Sequence, residues 1–134
     1  MQKNVEKMSI NYSPNFNLRK RSVSKVKYLI FHYTGMKSEN GAIKKLTNNN
    51  SGVSCHYFVR RNGNIVKIVP DLYIAWHAGN SAWMNYRNIN SYSIGIELDF
   101  SYEFKNNSYN YKMIASLKKL LKYLLIKYSP LLTL

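Results

Sequence analysis

Hydrophobic positions follow two different periods along this chain, and the period changes segment by segment. Residues 26–33, VKYLIFHY, form an unbroken run of aliphatic, β-branched and aromatic side chains. That run predicts a buried strand, ended by Thr34-Gly35. In SENGAIKKLTNNN (38–50), Ser38 stands where a helix cap would, and Ala42, Ile43 and Leu46 share one face. A short helix is predicted there, stopped by the asparagine run. In HYFVRRNGNIVKIV (56–69), two β-rich runs flank Asn62-Gly63, which predicts a hairpin with a type I′ turn. Residues 70–83, PDLYIAWHAGNSAW, read as a long connection carrying turn residues and large aromatics. YSIGIEL (92–98) predicts a strand with Ser93, Gly95 and Glu97 on one face and Tyr92, Ile94, Ile96 and Leu98 on the other. YKMIASLKKLLKYLLIKY (111–128) is amphipathic at helical period. Met113, Ile114, Leu117, Leu120, Leu121, Leu124, Leu125 and Tyr128 make its apolar stripe, and Ser129-Pro130 ends it. Residues 1–25 are mostly polar and are broken by Pro14, so they read as an N-terminal arm lying on a domain formed by 26–134. Strands and helices are mixed without internal repeats, which indicates an α/β fold with one sheet and flanking helices.

Composition narrows this little. With 134 residues, 46% of them hydrophobic and 14% aromatic, the chain is a globular single domain with a real core. A single cysteine, Cys55, excludes an internal disulfide framework. No apolar run approaches the roughly 20 residues of a membrane helix, and no signal-peptide pattern opens the chain. The expected location is therefore cytoplasmic.

Charge changes the picture more. Twenty Lys and Arg against six Asp and Glu give a net charge of +14. Such a surface attracts polyanions through a field that salt screens, so nucleic acid is one candidate partner. The basic residues are scattered and mostly lysine, and the Lys/Asn/Tyr/Ile bias is that of an AT-rich genome. Nucleic-acid binding is thus a subsidiary reading, and an anionic wall polymer suits a basic groove as well.

Three histidines, His32, His56 and His77, sit at strand ends or in a glycine-bounded loop. His32 at its strand end has a plain reading as a half-buried ring satisfied by backbone. Glu97 lies inside an apolar strand, where a carboxylate must be paired, hydrogen-bonded, metal-linked or protonated; a strand-edge Glu facing water is the alternative. Its neighbours Ser93 and Gly95 are small and leave space that suits a substrate. No HxxxH, HExxH, CxxC or GxSxG pattern is present. Cys55 and His56 are adjacent and point to opposite faces of a strand, so they cannot form a catalytic dyad; Cys55 reads as a small core residue.

The order of YLIFHYTG, SCHYFVRRNGNIVKIVPD, AWHAGNSAW and NSYSIGIEL over about residues 26–98 resembles the zinc-dependent N-acetylmuramoyl-L-alanine amidases of the type 2 amidase family, most of all the AmpD-like branch. The resemblance implies a single central mixed β-sheet flanked by helices. It implies hydrolysis of the amide bond between N-acetylmuramic acid and L-alanine, with peptidoglycan fragments or muropeptides as partners and a monomeric protein. It assigns His32 as a zinc ligand and Glu97 as the catalytic carboxylate. Trp76, His77, Gly79, Trp83 and Asn90 become substrate-groove residues, and His56 a structural residue under the sheet. The tyrosine that serves other branches falls at Cys55.

One departure accompanies the resemblance. The family places two further zinc ligands, a His and an Asp, beyond the helix that follows the IGIE strand, whereas YSPLLTL carries neither. Of the Zn²⁺ ligands only His32 is therefore identified, and a C-terminally truncated, marginally stable amidase domain is expected. Two functional readings stand beside hydrolysis: a catalytically inactive muropeptide-binding remnant, and the basic nucleic-acid-binding protein.

Overall fold

The computed structural model describes residues 8–79, 82–83, 86–100 and 110–128. Among these, five strands form the main sheet: β1 (Met8–Ile10), β3 (Tyr28–Tyr33), β4 (Tyr57–Val59), β5 (Ile65–Lys67) and β9 (Ser93–Leu98), in the order β1-β5-β4-β9-β3. The sheet is mixed. β3 and β4 run parallel to β9, β4 and β5 are antiparallel, and β1 runs parallel to β5. Two two-stranded ribbons complete the strand set, β2 (Phe16–Asn17) with β6 (Ile74–Ala75) and β7 (Ala82–Trp83) with β8 (Tyr86–Arg87).

Two helices cover the two faces. The alternation of β9 sends Ile94, Ile96 and Leu98 to one side. There they meet Leu29, Tyr57, Val59 and the buried stripe Met113, Leu120, Leu124 and Tyr128 of α2 (Tyr111–Tyr128). The other face packs Phe58, Val66 and Ile68 against Ala42 and Leu46 of α1 (Glu39–Thr47). Ser38 caps α1 as its sequence indicates, its hydroxyl accepting from the Gly41 N–H at 2.9 Å. The α/β architecture with a mixed sheet is the one expected.

One local expectation changes and two are filled in. The 60–64 turn is not type I′, because Asn62 is not in the left-handed region; Gly63 is, at φ 88°. Gly63 N–H donates to Arg60 O (2.9 Å) and Arg60 N–H to Asn64 O (2.8 Å), a three-residue loop with a glycine bulge. The helix α2 closes over the turn, with Lys112 O within 2.9 Å of where a Gly63 Cβ would stand. Within the stretch 1–25, β1 and β2 are hydrogen-bonded to β5 and β6. The connection 70–83 contains β6, held by that same ribbon.

Candidate functional site

Strand register creates the site. β3 and β9 pair in parallel with His32 opposite Glu97. Both side chains therefore emerge side by side on the α1 face at the C-terminal ends of their strands. β9 is central, flanked by β3 and β4, so Glu97 is not at a sheet edge. Burial pushes the Glu97 carboxyl up to about 7, opposed by the nearby Lys45 ammonium. Burial also lowers His32, so its imidazole is neutral at pH 7.

His77 fills the space that the small residues of β9 leave. A Cβ on Gly95 would stand 2.4 Å from the His77 ring, so only glycine admits the imidazole there. The expectation of open space for a substrate above Gly95 is corrected accordingly. Hydrogen-bond direction then fixes the ring chemistry. Ser93 Oγ donates to Ile89 O (2.8 Å), leaving it to accept from His77 Nε2 at 3.0 Å. His77 Nδ1 is then an acceptor, and His32 Nε2 at 3.0 Å is its donor. The chain Ser93–His77–His32 thereby leaves Nδ1 of His32 as the lone-pair nitrogen.

Asn90 holds the His77 loop from outside. Its side-chain oxygen accepts from the N–H groups of His77 (3.2 Å) and Ala78 (2.9 Å). The structure thus places Asn90 in loop support, away from the cavity wall. Gly79 turns that loop at φ 60°, with open space around it. Trp76 donates its indole N–H to Asn17 Oδ1 (2.7 Å). The Trp83 side chain lies outside the described residues. His56 is fully buried beneath: Nδ1 accepts from Gly95 N–H (3.0 Å) and Nε2 donates to Tyr73 O (2.8 Å). Burial, with help from Arg21, lowers it to about 4. Cys55 is fully buried and its thiol is pushed well above the ordinary range, so it is no nucleophile.

The result is a cavity of ≈ 210 Å³ with His32, His77, Glu97, Trp76, Lys45 and Met36 in its lining. It offers a neutral imidazole, a carboxyl poised near neutrality, one ammonium and an aromatic wall. Ser93 and Lys45 were not singled out by sequence as site members. Ser93 carried a signal, its position two residues before Gly95 on the Glu97 face; Lys45 carried none. A catalytic zinc ion calls for three protein ligands and a water. Among the described residues no three of His, Cys, Asp and Glu converge as a metal site. His77 and His56 are engaged at both nitrogens. The described residues do not fit a zinc centre.

Residues 22–133 match the family model described as N-acetylmuramoyl-L-alanine amidase. Among curated relatives, the N-acetylmuramoyl-L-alanine amidase AmiD of Escherichia coli K12 is 40% identical over 82 residues, covering 56% of this chain and 29% of AmiD. The 1,6-anhydro-N-acetylmuramyl-L-alanine amidase AmpD of the same organism is 38% identical over 69 residues, covering 52% of this chain and 38% of AmpD. The chain thus spans about a third of the length of these relatives. Among solved structures, a selenomethionine AmpD derivative superposes with a TM-score of 0.77 at 25% identity, over 92% of this chain and 76% of that one. The E. coli AmiD complex with anhydro-N-acetylmuramic acid-L-Ala-D-γ-Glu-L-Lys superposes with a TM-score of 0.71 at 30% identity, over 86% and 49%.

Proposed function

The chain belongs to the N-acetylmuramoyl-L-alanine amidase family, and from that premise we propose that it hydrolyses the amide bond between the lactyl group of N-acetylmuramic acid and L-alanine in muropeptides. The single observation that carries this reading is the pairing of His32 with Glu97 across β3 and β9 at the floor of the cavity. A carboxyl held near 7 suits proton transfer at neutral pH. Glu97 takes the proton from the attacking water and returns it to the leaving amine of L-alanine. His32 is held by His77, itself held by Ser93, and keeps a lone pair on Nδ1. Trp76 and Met36 supply the apolar wall for the sugar-lactyl end. The ligand named in the AmiD complex is of this substrate class. Zinc dependence is not part of the reading, since His32 alone of the family's ligands stands among the described residues. Monomeric action in the cytoplasm, where muropeptides are recycled, belongs to the same proposal; no described helix is long and apolar enough to cross a membrane.

The test is mass-spectrometric detection of the free peptide released from anhydro-N-acetylmuramic acid-L-Ala-D-γ-Glu-L-Lys, with and without added zinc. The expected outcome is release by the wild type and a loss of about 10²–10⁴-fold in kcat/KM for Glu97→Gln. Binding of the ligand without any release under either condition would replace hydrolysis by a muropeptide-binding role.

A further inference from the structure

A second groove lies at the opposite end of β9. It has a volume of ≈ 470 Å³, and Arg19, Lys20, Arg21 and Lys25 line it together with Asn17 and Tyr92. Among the described residues no carboxylate lines it, and none of the four cations is in a salt bridge.

These cations are positioned rather than loose. Lys20 lies over the Tyr73 ring, 5.7 Å from its centroid, and Lys25 over Tyr92 at 5.6 Å. Arg21 is only 8% exposed. Its two terminal nitrogens donate to Asn90 O (3.1 Å) and Asp71 O (2.8 Å), which are neutral carbonyls. Its Nε is buried without a hydrogen-bond partner. Burial outweighs the attraction of Asp71 and lowers this guanidinium to about 10. The Asp71 carboxylate is itself shared with Lys67 and Lys127, each at 3.6 Å. A buried guanidinium whose hydrogen bonds go to carbonyls leaves a positive field in the groove above it.

The groove and the His32–Glu97 cavity adjoin. Asn17 lines the first, Trp76 lines the second, and the two are hydrogen-bonded. A strand rises ~3.3 Å per residue, so the start of β9, next to Tyr92, and Glu97 lie roughly 13 Å apart; His77 fills the face between them, and a bound chain runs outside it, past Trp76 and Asn17. An extended peptide of about five residues covers that distance.

We propose that this groove is a carboxylate subsite, which holds the free carboxylates of the peptide part of a muropeptide whose scissile amide lies at Glu97. The proposal rests on the muropeptide reading above, and it deepens that reading by giving the peptide a direction, from the C-terminal end of β9 toward its start. The stem peptide L-Ala-D-γ-Glu-L-Lys-D-Ala-D-Ala carries two free carboxylates, one on D-Glu and one at its end. Charge-assisted contacts from positioned cations suit both.

Binding of the free pentapeptide, followed by calorimetry on the purified chain, tests this without any cleavage step. Arg19, Lys20 and Lys25 are exposed, so Arg19→Gln/Lys20→Gln/Lys25→Gln leaves the core intact. The expected result is about tenfold weaker binding to this variant, summed from three exposed charges. The same pentapeptide with both carboxylates amidated should bind wild type about as weakly as the variant binds the acid. Equal affinity of wild type and triple variant, or indifference to amidation, overturns the subsite. So does a double-stranded DNA oligomer that binds at physiological salt and is lost in the triple variant, if the pentapeptide is not bound. Absence of muropeptide cleavage with carboxylate-dependent pentapeptide binding intact would sink hydrolysis and leave the subsite standing.

Discussion

At the scale of single residues, Gly95 and Glu97 shape the site in opposite ways. Gly95 contributes by lacking a side chain. A methyl group there would meet the His77 ring at 2.4 Å, backed by a rigid strand on either side. Gly95→Ala therefore has to expel His77 and break its bonds to His32 and Ser93. We expect a loss of about 1–3 kcal/mol, the range for overpacking, together with loss of the His32–His77 coupling in imidazole nitrogen NMR spectra. Unchanged stability and an unchanged His77 signal in the Gly95→Ala variant would contradict this packing. Glu97 contributes a pH dependence. Its folded value is about 7 against an ordinary 4.5, so the folded state favours the protonated form. The stability it supplies is complete below 4.5 and is lost as pH rises through about 7. The Tm of Glu97→Gln should thus gain on wild type steadily as pH rises from 4.5 to about 7. A constant difference over that range would mean that Glu97 is ionised in the folded protein throughout.

At the scale of elements, α2 and the 60–64 turn support one another. α2 buries Met113, Leu120, Leu124 and Tyr128 against the sheet face opposite the site. It also bonds the turn, Ser116 Oγ donating to Gly63 O. Its last turn is tied by Tyr128 OH to the buried Asp71, which accepts from Tyr57 as well. Leu124 is fully buried in the middle of this contact. Leu124→Ala should cost about 2–5 kcal/mol in denaturant unfolding while leaving pentapeptide affinity of the surviving folded protein unchanged. A loss under about 1 kcal/mol, well below that range, would show that α2 is only loosely docked.

At the scale of the whole molecule, buried histidines set the acid limit. His56 is completely enclosed, bonded at both nitrogens, and lowered to about 4. His77 is shifted down with it, first by burial and then by the other two rings. For a group lowered in the folded state in this way, the stabilisation is present above 6.5 and disappears as pH falls through about 4. His56 alone accounts for about 3 kcal/mol of that loss once both states are protonated. Glu97 titrates in the opposite sense over the same range, so chemical denaturation of Glu97→Gln, which removes that titration, at about pH 7 and again near pH 4 measures the loss. NMR should find the His56 ring still neutral at about pH 5; a midpoint near the ordinary 6.5 would remove the explanation. The high net charge of +14 adds self-repulsion as further groups protonate, in the same direction.

Much of the fold was legible in the chain because periodicity is local. The run 26–33, the alternation of 92–98, the Ser38 cap and the stripe on 111–128 each report their own element through burial or capping. The segment order also carried the family resemblance, with His32 and Glu97 as its chief residues. Other features depend on partners distant in sequence. The 60–64 turn sits under α2, which lies far along the chain, and β1 and β2 are set by the strands that accept them, since a short polar stretch has no pattern of its own. His77 lines the cavity, as a groove residue would; the close approach to Gly95, together with Ser93 and His32, makes it a support for another ring as well. Arg21 stood in the sequence as one of twenty scattered basic residues, and burial against two carbonyls sets it apart. The sequence by itself determined which side chains each strand and helix offers, because that follows from two short periods. Tertiary structure alone decided which of them meet, because register, helix docking and burial bring together residues that lie tens of positions apart.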